Sequence, residues 1–383
     1  GYEGNDYLDG GNGIDVMEGG EGNDIYYVDS TSDTVTEDPS KGTDIVYSYI
    51  TLTTPDNVEN LTLFTSSDID GNGNDLANTI RGNSGNNVLS GGDGNDTLHG
   101  NNGDDTLNGG NGTDTLNGNN GDDTLNGGDN NDELYGGAGD DTLNGGNDLD
   151  TMVGGNGNDT YVVNHVNDVV TETSSSGGTD LINSYVSYTA SNYVENLTLI
   201  GAGIINATGN SLHNTLNGNN KNNTLNGESG NDTIYGHNGN DTLNGGDNND
   251  ILYGGNGYDT LNGGNNNDIL EGGNHDDILT GGHGNDTLNG GNNDDTLTGG
   301  VGNDQLTGGS GNDIFQIVTG SGRDLITDYS SGEDSLRISG SYDQNDFTFS
   351  YASGHTYIRL ASNNDLLAII QNSTLTVSDL NIV

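Results

Sequence analysis

The sequence contains no cysteine and only six lysines and arginines among its 383 residues. Without thiols there is no disulfide framework and no thiolate metal site. Six cations cannot neutralise 59 carboxylates, and the formal charge is −53 at pH 7, so internal salt bridges cannot hold the chain together. Apolar residues are scarce as well, at 28%, and no apolar run approaches the roughly 18 residues of a membrane span. The sign of the charge excludes nucleic acid and an anionic membrane surface as partners, leaving basic proteins or positively charged surfaces. Judged on composition alone, such a chain is disordered, because it has too little apolar surface to offset the entropy of ordering. A divalent cation is the simplest source of the missing positive charge.

What the sequence does contain is glycine, 68 residues of it, arranged in a nine-residue phrase close to Gly-Gly-x-Gly-x-Asp-x-U-x, with U apolar. A first array sets Asp6, Asp15 and Asp24 nine apart. A second sets Asp96, Asp105, Asp114, Asp123, Asp132, Asp141, Asp150 and Asp159. A third sets Asp232, Asp241, Asp250, Asp259, Asp268, Asp277, Asp286, Asp295, Asp304 and Asp313. Self-similarity at a fixed period decides the fold before local propensity does. The residue two after each Asp is apolar, from Leu98 to Tyr161 and from Ile234 to Phe315. One inward residue between two outward ones predicts a three-residue strand. Strand, turn, strand, turn closes a coil of two repeats, and stacked coils make two parallel sheets around a thin aliphatic core. Glycines at places one, two and four are expected to supply positive φ and close backbone approach. Where place four is not glycine it is Asn130, Asp148, Asn248, Asn266, His275 or Asn293, types that tolerate the left-handed region.

The repeat resembles the nonapeptide of the RTX family, whose calcium-binding parallel β-helix is an established repeat architecture. The resemblance covers about half of the chain and implies an all-β fold: a right-handed parallel β-roll or β-helix solenoid of 18-residue coils with a C-terminal β capping segment. It also implies calcium ions as cofactor, each held between two loops that lie two repeats apart. Carried onto this sequence, Gly92, Gly94 and Asp96 would meet Gly109, Asn111 and Asp114, supplying six oxygens, within the number Ca²⁺ prefers. Asp pairs at that spacing then allow up to about 15 interstrand sites, worth about +30 of charge. Asn78, Asn87, Asn214 and Asn223 keep the frame with a neutral side chain, so those coils are expected to stack without a full site.

Two longer segments interrupt the arrays and share Val58-Glu59-Asn60-Leu61-Thr62-Leu63 and Val194-Glu195-Asn196-Leu197-Thr198-Leu199. They are expected to continue the coil on apolar burial instead of calcium loops. The implied organisation is a partial repeat block over 1–24, a spacer over 25–77, a block over 78–159, a spacer over 160–213, a block over 214–313 and a cap over 314–383. In the cap, Thr356 to Leu360 and Leu366 to Ile370 read as strands that cover the open end of a solenoid. By resemblance the type I secretion signal would also lie there. The chain opens inside a repeat, which suggests a fragment of a longer protein with an upstream domain.

Other readings of these residues are weaker. Solvated acidic loops would leave the glycine spacing and alternating leucines unexplained. The Asn-x-Ser/Thr triplets are generated by the repeat itself. No Walker-type lysine accompanies the glycines, no His-Glu-x-x-His pair is present, and no Ser/His/Asp arrangement stands above background. For Asp44, Asp180, Asp324 and Asp334, metal binding and turn capping are equally compatible with the sequence. The functional reading is a secreted bacterial, non-catalytic β-roll that folds on extracellular calcium and serves as a structural, carrier or adhesin-type segment, without membrane insertion. The alternative is the C-terminal region of a secreted protease, lipase or alginate epimerase with its catalytic domain upstream. A flat Thr/Asn face, such as Thr106/Asn108 above Thr124/Asn126, raises glycan, cell-surface or ice contact as a third reading.

Overall fold

The computed structural model describes residues 1, 3–172, 177–339, 344–376 and 379–382. The chain divides into two units, Gly1–Asn183 and Ser184–Val383. In both, consecutive strands alternate between two parallel sheets, as a coil of two short strands and two turns requires. The only helix among the described residues is the 3-10 turn Gln344–Asp346.

In the first unit one parallel sheet has ten strands, running from Tyr7–Asp9 through Thr97–Asn102 and Thr115–Asn120 to Val169–Thr171. Its partner sheet includes Val88–Asp93, Thr106–Asn111, Thr124–Asp129 and Thr142–Gly146. The register advances by two repeats per coil, with Leu98 opposite Leu116 and Leu107 opposite Leu125. Each inward side chain is fully buried: Leu98, Leu107, Leu116, Leu125, Leu134, Leu143, Met152 and Tyr161 all have 0% exposure. The core is therefore one side chain per half-coil, a stack of leucines lined up along the coil axis.

The strands are longer than the three residues read from the sequence. Thr97–Asn102 and most array strands have six, because pairing continues through the glycines, with Gly92 opposite Gly110 and Asp93 opposite Asn111. Loops that stack directly on their copies in the next coil remain within the ladder, and sequence alternation alone does not reveal this.

In the first unit the spacer continues the ten-stranded sheet, but with uneven coils. Ile25 pairs with Ile45, Ile45 with Asn60 and Asn60 with Thr79, so one coil is longer than two repeats, the next shorter and the third longer again. Val46, Val58 and Leu61 are fully buried and fill its core. On the outer face Tyr27 stacks on Tyr47 at 5.2 Å, with Tyr7 at 5.0 Å from Tyr27 and Phe64 edge-on to Tyr47 at 5.8 Å.

The second unit repeats the plan, with buried leucine, isoleucine and phenylalanine from Leu225 to Phe315. Its C-terminal strands change direction. Phe347–Ala352 and His355–Leu360 form an antiparallel hairpin, His355–Leu360 continues antiparallel to Leu366–Ile370, and that strand lies parallel to Asp324–Ile326. This meander covers the last coil and leaves the edge of the array paired.

Candidate metal centres

Each array aspartate sits where the chain leaves a glycine loop and enters the next strand, and its side chain turns back under that loop. From Asp96 to Asp159 and from Asp232 to Asp313 these residues are no more than 2% exposed. One carboxylate oxygen is spent on the backbone. The Asp96 amide donates to Asp114 Oδ1 at 2.7 Å, Asp105 to Asp123 Oδ1 at 2.7 Å, and Asp123 to Asp141 Oδ1 at 2.8 Å. The third array repeats this, as in Asp250 to Asp268 Oδ1 at 2.8 Å and Asp295 to Asp313 Oδ1 at 2.9 Å. The first does so with Asp6 donating to Asp24 Oδ1 at 2.7 Å.

The other oxygen has no hydrogen-bond partner. Oδ2 of Asp6, Asp15 and Asp24, of every array aspartate from Asp96 to Asp159, and of every one from Asp232 to Asp304 is buried without a hydrogen-bond partner. Among the described residues the ion pairs are Lys41 with Glu21 and the N-terminal amine with Asp6, so no cation of the chain reaches these oxygens within the second and third arrays. A buried ionised carboxylate without a partner is too costly to persist. Burial accordingly pushes the carboxyls up, to about 6 at Asp96, about 7 at Asp105 and about 8 at Asp141, Asp268 and Asp277, with neighbouring aspartates adding to the effect and the donated amide opposing it. An oxygen-only donor set of this charge fits a hard divalent cation such as Ca²⁺.

The glycines explain the geometry. A methyl at Gly91 would overlap Asp96 Oδ2 and lie 2.5 Å from the Gly109 carbonyl, so that carbonyl and the orphan oxygen converge on the same Cα. The same holds at Gly127, for Asp132 Oδ2 and Gly145 O. Place-one glycines do not have positive φ, contrary to the expectation from sequence; they are glycine because a side chain would occupy the space over the carboxylate. Gly92 and Gly94 do have positive φ, 107° and 123°. Their carbonyls face the Cα atoms of Gly110 and Gly112 in the next coil, and the Asn111 carbonyl accepts the Gly94 amide at 2.9 Å. Asn130, Asp148, Asn248, Asn266, His275 and Asn293 all have φ between 75° and 83°, as their identity predicts. Place two also carries exceptions that sequence reading missed: Asn101, Asn119, Glu228 and His237, with φ of 73° to 82°.

The neutral frame residues satisfy themselves. Asn87 accepts the Asn83 amide at 2.8 Å and donates Nδ2 to the Ile69 carbonyl at 2.6 Å. Asn223 does the same with Asn219 and Ile205. Where the amide nitrogen replaces Oδ2, no orphan oxygen remains.

A second ladder, also not read from the sequence, runs along the exposed place five. Here the later amide donates to the earlier side chain, as in Thr113 to Asn95 Oδ1 at 2.9 Å and Asp122 to Asp104 Oδ1 at 3.0 Å. It explains why Asn and Asp recur beside each buried aspartate. The Thr/Asn face is likewise self-paired, with Asn126 Nδ2 donating to Asn108 Oδ1 at 3.1 Å.

A family model for the RTX calcium-binding nonapeptide repeat matches residues 1–35, overlapping stretches that span 72–161, and overlapping stretches that span 208–315. These stretches amount to more than half of the chain. The chain belongs to the RTX calcium-binding repeat family. It is a calcium-binding β-roll module in its repeat blocks, and both the matched stretches and the orphan oxygens follow the same nine-residue frame. No curated protein matches. Among solved structures, the extracellular lipase LipA from Serratia marcescens is similar at 15% identity, over 52% of this chain and 44% of that one, with a TM-score of 0.25. The chain thus spans less than half the length of that protein.

Proposed function

We propose that this chain is a non-catalytic module of a secreted protein, folded by extracellular calcium, in which array aspartates two repeats apart share ions through their Oδ2 atoms. The observation that carries the reading is the row of buried, unpartnered Oδ2 oxygens, which from Asp96 to Asp132 and from Asp232 to Asp295 lie beside a loop carbonyl from the neighbouring coil. In low calcium the charge of −53 would be self-repelling, which keeps the chain extended and suits export. Millimolar calcium outside the cell would then drive folding by linkage. The pairing makes a sharp test possible. Asp123 joins Asp105 on one side and Asp141 on the other, so Asp123→Ala is expected to weaken two neighbouring sites and lower the calcium bound per chain by about two ions. A stoichiometry unchanged in equilibrium dialysis would overturn the two-repeat pairing.

Contact with a glycan surface is favoured by a separate feature, the row of Tyr7, Tyr27 and Tyr47 with Phe64, of which Tyr7 and Phe64 are more than half exposed. Aromatic faces of this kind stack on sugar rings. Oligosaccharides would raise the thermal midpoint of the native chain but not of Tyr47→Ala; no shift with either would remove this reading.

A further inference from the structure

Two groups of carboxylates lie outside the two-repeat pairing. Where the first array gives way to its spacer, Asp24, Glu37 and Asp44 are 0%, 6% and 1% exposed, and ligand oxygens of the three lie within 4.8 Å of one another. At the end of the second array Asp159, Glu172 and Asp180 repeat the arrangement at 1%, 5% and 1%. In both groups the first and last members are further apart in sequence than two repeats, and a glutamate between them joins the cluster.

The wiring of the two groups is the same. The inward place of the last repeat is tyrosine, Tyr26 or Tyr161, fully buried, and its hydroxyl donates to the glutamate eleven residues later. At the first group a methyl on Gly19 would overlap Asp24 Oδ2, the Tyr26 hydroxyl and Glu37 Oε1 together, so these three oxygens face one point. Independently of the clustering, Asp24 Oδ2 and Asp159 Oδ2 are buried without a hydrogen-bond partner and aimed into it. Their Oδ1 atoms are already taken by the amides of Asp6 and Asp141, at 2.7 and 2.8 Å. No lysine, arginine or histidine of the described residues forms an ion pair with Asp24, Glu37 or Asp44.

The third array supplies an internal contrast. Asp313 is followed by Asp334 at the spacing that separates Asp159 from Asp180, but Phe315 stands in the tyrosine place. The glutamate's place is taken by Ile326, and Asp328, two residues further on, spends both oxygens on the Gly308 and Gly309 amides at 3.0 and 2.8 Å, whereas Glu37 spends only Oε2 on backbone amides and keeps Oε1 beside Asp24. No three-carboxylate cluster forms there among the described residues.

We propose that Asp24/Glu37/Asp44 and Asp159/Glu172/Asp180 each hold one calcium-class divalent cation between three carboxylates, as terminal sites tighter than the two-aspartate sites of the arrays. The inference rests on the calcium-binding reading above and adds to it. Affinity in all-oxygen sites rises with the number of charged ligands, and three carboxylates exceed two. Tyr26 and Tyr161 are positioning residues: each donates to one glutamate oxygen and holds it toward the cluster, and at the first group the other oxygen of Glu37 is held by the Gly20 and Asp38 amides at 3.2 and 3.3 Å. Filling first, these sites would pin the start of each spacer while the arrays are still unfilled.

The chain has no tryptophan, so tyrosine is the sensitiser for Tb³⁺, which serves as the probe. In a Tb³⁺ titration of the metal-stripped full chain, the first two equivalents are expected to bind in a separate, tighter phase with tyrosine-sensitised emission. Tyr26→Phe with Tyr161→Phe should remove most of that early emission and loosen the early phase less than loss of a carboxylate does, since all three carboxylates remain. Glu37→Gln with Glu172→Gln should weaken the early phase by about tenfold or more and leave later equivalents unchanged. An early phase absent from the native chain, or unaltered in both double variants, would overturn the proposal. If the glutamine variant lacks sheet circular dichroism even in saturating calcium, the phenylalanine pair decides by emission alone. Array binding that persists without an early phase defeats only this proposal, whereas no ion bound at all would defeat the calcium reading itself.

Discussion

At the scale of single residues, the repeat divides each aspartate between two tasks. Oδ1 closes the backbone ladder and Oδ2 is left for a cation, whereas a frame asparagine turns Oδ1 to the amide four residues earlier and Nδ2 to a carbonyl of the preceding coil. Asn87→Asp tests this division. It removes the amide that donates to Ile69 O and creates a new orphan oxygen opposite Asp105. Without calcium the variant should be less stable by about 1–3 kcal/mol, and in calcium it should bind one more ion, measured by denaturation and by dialysis. Place-one glycine is the steric half of the same design. Gly127→Ala would press a methyl onto Asp132 Oδ2 and the Gly145 carbonyl, and is expected to cost one site and about 1–3 kcal/mol in calcium; unchanged calcium binding would show that the carboxylate is placed elsewhere. Titration follows from burial. Folded-state carboxyls at about 6 to about 8 lie above their ordinary 3.8, so the stability they contribute is present below about pH 4 and is lost as the pH rises through about 6 to 8. The metal-free chain should therefore gain sheet circular dichroism on acidification, while calcium affinity falls because protons compete for the same oxygens. A metal-free chain with most sheet at pH 8 would contradict this.

At the scale of elements, two ways of holding a coil alternate along the chain. Array coils bury one leucine per strand and depend on the loop, whereas the spacer coils bury more. Val58, Leu61 and Leu63 come from one short segment and are all buried, and Glu59, one methylene longer than aspartate, reaches the Asp44 amide at 2.8 Å across the shortened coil. Leu61→Ala is expected to cost about 2–5 kcal/mol at saturating calcium, read as a drop in denaturation midpoint; a shift below about 0.5 kcal/mol would show that the spacer is not held by this core. The coil, its inward residues and the positive φ of place four were all legible in the sequence, because period nine and residue type both report on local backbone geometry. Six-residue strands, uneven spacer coils and the exposed place-five ladder were not, since each arises only when a loop lies on its copy in the next coil. Glu37 and Glu172 were missed for a related reason: they stand outside the aspartate frame, and only the fold brings them to Asp24 and Asp159. The signal that could have found them is Tyr two residues after an array aspartate with Glu eleven further on, present twice and lost at Phe315.

At the scale of the whole molecule, a charge of −53 and an aliphatic core one residue wide do not make a stable protein in plain water. In the function proposed above, cations bound at the loop edges supply what the core does not, and binding and folding are one equilibrium. The most direct test is far-ultraviolet circular dichroism with hydrodynamic radius on the intact chain at pH 7, first in excess EGTA and then through a calcium titration. The expected result is an expanded chain without sheet signal in chelator, and a cooperative gain of sheet with compaction as calcium reaches the millimolar range. Full sheet signal and a compact radius in chelator would contradict it.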